Sequence, residues 1–164
     1  MTEVLPDLLA PDLKVIFCGT AAGNESARRG AYYAGRGNKF WRTLHDVGLT
    51  PQVIVPDAFA SVLEYGIGLT DLAKFAQGMD HTLKASDFGV EAFHAKIEAI
   101  NPIALAFTSK KAGSTYYRTK KIAFGRQPDR IGDTVVFVLP SPSGAANRSW
   151  DVKYWQEVAE FVRR

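Results

Sequence analysis

Two short segments are suited to receiving a ligand with main chain more than side chain: Phe17-Cys18-Gly19-Thr20-Ala21-Ala22-Gly23-Asn24 and Leu139-Pro140-Ser141-Pro142-Ser143-Gly144. Each follows a continuous apolar run of the kind that forms an interior strand of a parallel sheet. Loops at the carboxyl ends of such strands open onto one crevice, so the two segments are expected to meet there. Gly19 and Gly23 bracket a turn, and the small Ala21 and Ala22 between them let a flat ligand approach the backbone closely. Main-chain N–H groups in such a loop suit an anion, or an oxygen that gains negative charge during a reaction. The segment lacks the Gly-Lys-Ser/Thr ending of a phosphate-binding P-loop and the three-glycine spacing of a dinucleotide site, so neither nucleotide reading has specific support. Taken alone, a plain strand-to-helix turn accounts for it.

The elements that must position these loops alternate between strand and helix periods, as in an α/β domain. Lys14–Cys18, Ile103–Phe107 and Thr134–Leu139 read as buried strands, with a short strand over Ile67–Leu72. Asn38–Val47 reads as a helix with Phe40, Trp41 and Leu44 toward the core and Gly48 as its stop, and Asp57–Tyr65 repeats this before Gly66. An irregular stretch through Ser86 precedes a helix over Asp87–Ile100, a basic helix is expected over Ser109–Phe124, and a last helix starts near Trp150. The expected fold is a single α/β domain spanning residues 1–164, a three-layer sandwich with a central four-stranded parallel sheet.

Composition narrows the function classes. With 46% hydrophobic and 23% charged residues the chain is ordinary for a globular protein, and no apolar run reaches the roughly 18 residues of a membrane span. The first dozen residues lack the basic start and apolar stretch of a signal peptide, so a cytoplasmic, membrane-free monomer is expected. Cys18 is the only cysteine and the three histidines are scattered, so no metal and no cofactor are expected. The net charge of +3 is small but uneven. Arginines and lysines gather over residues 20–42 and 108–131, whereas the stretch from Asp57 to Glu98 is acidic on balance, which leaves one face suited to a polyanion.

Over residues 12–51 the chain resembles the mismatch-specific uracil-DNA glycosylase and thymine-DNA glycosylase family of the uracil-DNA glycosylase superfamily. The Cys18-Gly19 start, Gly23, Ser26, Gly30, Tyr33 and Asn38-Lys39-Phe40-Trp41 fall at that family's spacing without a gap. Tyr65-Gly66-Ile67-Gly68-Leu69-Thr70-Asp71-Leu72 is similar to its middle segment, and Leu139–Gly144 to its second active-site motif. The resemblance implies the uracil-DNA glycosylase fold and an enzyme that flips uracil out of DNA and hydrolyses its N-glycosidic bond, leaving an abasic site. Its partners would be uracil-containing and abasic DNA. A low-turnover or non-catalytic uracil-binding or abasic-site-binding protein is the alternative. A pocket relying on stacking and backbone contacts would also admit other damaged bases such as hypoxanthine, xanthine or ethenocytosine, with Ser26 and Tyr32 as the positions that bear on it.

Residue by residue, the resemblance implies that Tyr33 stacks on the base and Asn38 holds the pocket or reads the base edge, with helix capping as a compatible second role. Gly19, Thr20, Ala21 and Gly23 would bind the substrate, the N–H groups near Thr20 and Ala21 facing its carbonyl oxygen. Ser141, Pro142, Ser143 and Gly144 would bind DNA phosphate. From charge alone, the basic stretch Lys110, Lys111, Arg118, Lys120 and Lys121 is expected either to embrace the DNA backbone or to form a solvated helix face. Ser141 stands where related enzymes carry histidine, so no imidazole is available from that position. Ala21 stands where the family has the asparagine that orients the attacking water, which makes Asn24, Glu25 and Ser26 on the same loop the candidate catalytic replacements. Ala145 is too small to fill the gap left by a flipped base, and Asn147 or Arg148 is expected to enter it instead.

Overall fold

The computed structural model describes residues 3–78 and 89–163. Four apolar segments form parallel strands: β1 (Val15–Gly19), β2 (Ile67–Asp71), β3 (Ala104–Phe107) and β5 (Thr134–Val138). A further strand, β4 (Gly125–Ile131), runs antiparallel beside β5, giving the order β2-β1-β3-β5-β4. The four interior runs are buried at every position, so neither face of the parallel sheet meets water.

Alternation along the strands divides the core into two layers. Val15 and Phe17, with Ala104, Ala106, Val135 and Phe137, face α2 (Phe40–Asp46) and α5 (Val152–Val162). Ile16, Cys18, Leu105, Phe107, Val136 and Val138 face α3 (Val90–Ile100) and α4 (Lys110–Tyr117). On the first face Trp155 of α5 stacks on Phe17 with ring centroids 5.6 Å apart, and Phe40 of α2 meets Phe17 edge-on at 5.3 Å. Trp155, Val158, Ala159 and Val162 recur at helical spacing and are all buried, and the Asp151 carboxylate accepts from Lys153 N–H to begin that helix. The outer edge of β2 is covered by the N-terminal segment, where Leu8 and Leu69 exchange main-chain hydrogen bonds of 2.9 Å.

Two expectations are corrected. The sheet has five strands, the parallel four being joined by the antiparallel edge strand β4. The basic helix expected to reach Phe124 ends at Tyr117, because Arg118 turns left-handed at φ 55° and the Thr119-Lys120-Lys121-Ile122 stretch offers no apolar stripe to extend it. The chain then enters β4, a solvent-facing edge whose register shifts between Arg126 and Arg130, with Pro128 inside the irregularity. Asp57–Tyr65 belongs to a 3-10 helix over Pro56–Tyr65 kinked at Ala58, which like α2 stops at a glycine of positive φ. The expected irregular stretch and helix start around Ser86 and Asp87 lie outside the described residues.

Gly113 lets α4 sit close to β5: a Cβ there would lie 2.8 Å from Val138 Cγ2. Gly113→Ala is expected to lose about 1 kcal/mol in urea unfolding, because overpacking against a strand exceeds the gain in helix propensity. In a Val138→Ala background the penalty should vanish, and a double-mutant cycle reads it.

Candidate active site

The carboxyl ends of β1, β2, β3 and β5 open onto one cleft of about 550 Å³. Main-chain bonds continue past the strands and hold its loops: Leu72 N–H donates to Gly19 O at 2.9 Å, Ala73 N–H to Thr20 O at 2.7 Å, and Thr108 N–H to Cys18 O at 2.9 Å. The loop after β1 then enters α1 (Asn24–Arg29). The loop after β5 closes the opposite side, where Lys39 N–H donates to Pro142 O at 2.8 Å and Trp155 Nε1–H to Pro140 O at 3.1 Å. Gly144 packs on the 36–37 turn, a Cβ there lying 3.4 Å from Gly37 O. The two segments distant in sequence thus share one cleft.

Gly19, Thr20, Ala21, Gly23, Asn24, Glu25, Ser26, Tyr33, Asn38, Ser141, Pro142, Ser143 and Ala145 all line this cleft. Gly144, Asn147, Arg148 and Lys110 lie outside its lining and are exposed. Asn147 and Arg148 follow on a 3-10 helix, Gly144–Ser149, where the Asn147 side chain accepts from Lys39 Nζ and that lysine rests over the Trp150 ring. Lys110 Nζ sits 4.5 Å from the centre of the Phe124 ring. Asn38 Oδ1 accepts from Phe40 N–H at 2.9 Å, so the capping role and the position on the cleft coexist.

The three side chains of the α1 turn differ in availability. Ser26 is buried and its Oγ accepts from Ala34 N–H at 2.9 Å. Glu25 pairs with Arg28, whose hydrogen bond holds the carboxyl below its ordinary range. Asn24 is exposed at the cleft, its Oδ1 accepting from Gln77 Nε2 at 3.3 Å. Tyr32 also lines the cleft, with its hydroxyl donating to Pro6 O at 2.9 Å.

Tyr33 takes the left-handed backbone conformation at φ 51°, uncommon for an aromatic residue. Its ring stacks on Phe40 with centroids 3.9 Å apart and planes at 15°, so the cleft wall is the outer layer of an aromatic stack. Its hydroxyl meets Thr108 Oγ1 at 3.0 Å, and the Thr108 hydroxyl lies 3.3 Å from Cys18 O as donor.

One acidic side chain of the cleft was not among the candidates read from the sequence. Asp71, the last residue of β2, is 6% exposed and lines the cleft beside Gly19, its partner in the strand register. A Cβ on residue 19 would fall 2.7 Å from Asp71 Oδ1, 3.5 Å from the Tyr33 hydroxyl and 3.6 Å from Thr108 Oγ1, so three polar side chains converge over one glycine. Burial pushes the Asp71 carboxyl up to about 6, with Asp7 reinforcing the rise and Lys74 and the Gly19 N–H opposing it. Lys74 divides its charge, bonding Asp7 at 2.9 Å and the Tyr32 hydroxyl at 3.1 Å. The available signal was a lone acid ending an otherwise apolar strand, at Leu69-Thr70-Asp71-Leu72.

Residues 6–162 match the family pattern of the uracil DNA glycosylase superfamily. The chain belongs to that superfamily. Its fold is also that of a solution NMR structure of "a putative Uracil DNA glycosylase" from Methanosarcina acetivorans, at TM-score 0.67 and 22% identity over 98% of this chain and 97% of that one. Among the described residues of this uracil DNA glycosylase superfamily member, no helix is long and apolar enough to cross a membrane.

The Asp71 shift has a consequence for stability. A carboxyl whose folded value lies near 6, above its ordinary 3.8, favours folding in its neutral form, and that contribution is lost as pH rises through 6. Asp71→Asn is therefore expected to stabilise the protein by about 2 kcal/mol at pH 8 and hardly at all at pH 4, as read by urea unfolding at both pH values.

Proposed function

We propose that this protein is a DNA glycosylase that flips uracil into the cleft and hydrolyses its N-glycosidic bond, leaving an abasic site. The observation that carries the reading is the meeting of the β1 and β5 loops across a cleft with an aromatic wall. A base removed from the duplex loses a few kcal/mol of stacking and pairing. Stacking on Tyr33, already backed by Phe40, returns about 1–3 kcal/mol of that. The Ser141–Gly144 loop, pinned by Lys39 N–H, stands at the rim where the flanking phosphates of a flipped nucleotide would lie. Arg148, exposed on the following 3-10 helix, is the side chain we favour for entering the gap in the stack, with Asn147 as the other candidate.

Bond cleavage leaves positive character on the sugar and negative charge on the departing base. Main-chain N–H groups near Thr20 and Ala21 are suited to the negative charge. Water must be positioned from elsewhere, since Ala21 has no polar side chain. Asn24 is the candidate we favour on the α1 turn, because it is exposed at the cleft with a long 3.3 Å bond from Gln77, whereas Glu25 pairs with Arg28 and Ser26 is buried. Ala21 also favours a second reading, a protein that binds uracil or abasic DNA with little turnover.

A single-turnover assay with enzyme in excess over an oligonucleotide carrying one uracil, followed by alkali, separates the two. Alkali-dependent strand cutting is the expected result; retained uracil-DNA binding without cutting identifies the binding protein. Asn24→Ala should slow cutting by about 100-fold, the loss typical of one positioned polar group, and an unchanged rate removes Asn24 from the mechanism. Arg148→Ala should weaken binding to duplex more than to single-stranded uracil-DNA, and equal losses on both dispose of the wedge role.

A further inference from the structure

We propose that Phe124 and Tyr154, with Lys110, Arg126 and Lys153 around them, form a second nucleobase site outside the cleft, which takes an unpaired base of the strand that carries the flipped nucleotide. The inference rests on the glycosylase reading above and names what the surface beyond the cleft holds. The two rings come from opposite layers of the domain: Phe124 packs with the α4 layer, and Tyr154 of α5 with the Phe17 layer. They meet around the end of the sheet, with centroids 5.4 Å apart. Between them the chain enters β4 at Gly125, whose φ of 99° suits glycine and whose partner is Val138 at the carboxyl end of β5. The cleft opens at that same end. Ser109 lines it and caps α4 with its hydroxyl, and Lys110 is the next residue. On the other side Trp155, next to Tyr154, donates to Pro140 O at the base of the Ser141–Gly144 loop. A strand leaving the cleft between Ser109 and Ser141 runs onto the two rings.

Aromatic rings interleaved with cations suit single-stranded nucleic acid, because any base stacks on a ring while the cations beside it meet the phosphates. Lys110 Nζ lies 4.5 Å from the centre of the Phe124 ring, and Lys153 Nζ 5.1 Å from that of Tyr154. The Arg126 guanidinium lies 5.1 Å from the centre of the Phe161 ring. All three cations are exposed, and Lys110 and Arg126 have no ion pair among the described residues. The carboxylates nearby are Glu157, beside Gly125, and Asp151, which Lys153 meets at 3.7 Å. A solvated helix face, the other reading of this basic stretch, does not account for cations each seated on an aromatic ring. An ammonium over an exposed ring is held weakly. A phosphate draws it off, and the ring face it leaves receives a base, so one ligand satisfies both groups. A paired base inside a duplex is covered by its neighbours on both faces, which restricts the site to bases that are unpaired beside the flipped nucleotide or in a single strand.

The test is fluorescence anisotropy on a single-stranded oligonucleotide carrying 2′-fluoro-2′-deoxyuridine, whose N-glycosidic bond resists cleavage, with each neighbouring base replaced in turn by an abasic spacer. Wild type is expected to show one position where losing the base weakens binding about tenfold, the loss typical of one stacked base. In Phe124→Leu the intact oligonucleotide should bind about tenfold more weakly and that position should become insensitive, whereas Phe124→Tyr should keep both affinity and sensitivity. Once the oligonucleotide is annealed to its complement, Phe124→Leu should cost less than about twofold. Lys110→Gln, on an exposed side chain that leaves the core untouched, should flatten the dependence of log Kd on log salt by about 0.7 for the single strand. A scan with no sensitive position, a position as sensitive in Phe124→Leu as in wild type, equal losses on duplex and single strand, or an unchanged salt slope overturns the second site. The glycosylase reading stands through any of these, provided that wild type cuts uracil. A wild type that binds the uridine oligonucleotide no better than its thymidine counterpart, and cuts no uracil, overturns both. Unfolding midpoints of Phe124→Leu and Phe124→Tyr exclude misfolding as the cause.

Discussion

The parallel register of β1 against β2 places Asp71 directly beside Gly19, and the rest of the cleft depends on that pairing. Both strands are buried along their length, so a slip of one residue would move every apolar side chain to the wrong layer. The register that satisfies the two cores therefore also delivers a carboxyl group to the floor of the cleft. Residue 19 must then lack a side chain, because a Cβ would occupy the space taken by Asp71 Oδ1. Gly19 is required here for room and not for backbone freedom. Position 19 thus links core packing to the chemistry above it.

From that point the site is assembled by main chain. The bonds from Leu72, Ala73 and Thr108 back to the β1 end fix three loops relative to one another, and the bond from Lys39 to Pro142 fixes the fourth. Aromatic packing carries the same rigidity through the core: Trp155 stacks on Phe17, Phe17 abuts Phe40, and Phe40 supports Tyr33 at the cleft wall. A stacking surface backed in this way is already ordered before a ligand arrives, so less of its contact energy is spent on immobilising the ring. The left-handed conformation at Tyr33 is local strain held by those contacts.

Legibility in the sequence followed the strength of local signals. The interior strands are continuous apolar runs, and Phe40, Trp41 and Leu44 with the Gly48 stop define a helix by spacing alone, so both were readable. β4 was not, because Gly125–Ile131 is an exposed edge with no apolar run, and its pairing is set by β5 and the Gly132-Asp133 turn. The loops were found through their glycines and prolines and through family spacing. Asp71 was missed for a different reason: its importance comes from Gly19, Tyr33 and Thr108, residues as many as 52 positions away that only the sheet brings together.

Ala21 leaves the proposed chemistry to be divided among other residues of the cleft. Cleaving an N-glycosidic bond poses two electrostatic problems, the positive sugar with its incoming water and the negative base, and one loop need not solve both. In this chain the buried acid stands at the end of β2, while Asn24 stands on the exposed turn after β1. Burial pushes the Asp71 carboxyl up to about 6, at the expense of stability once it ionises; exposure leaves Asn24 open to water but makes it a weaker electrostatic partner.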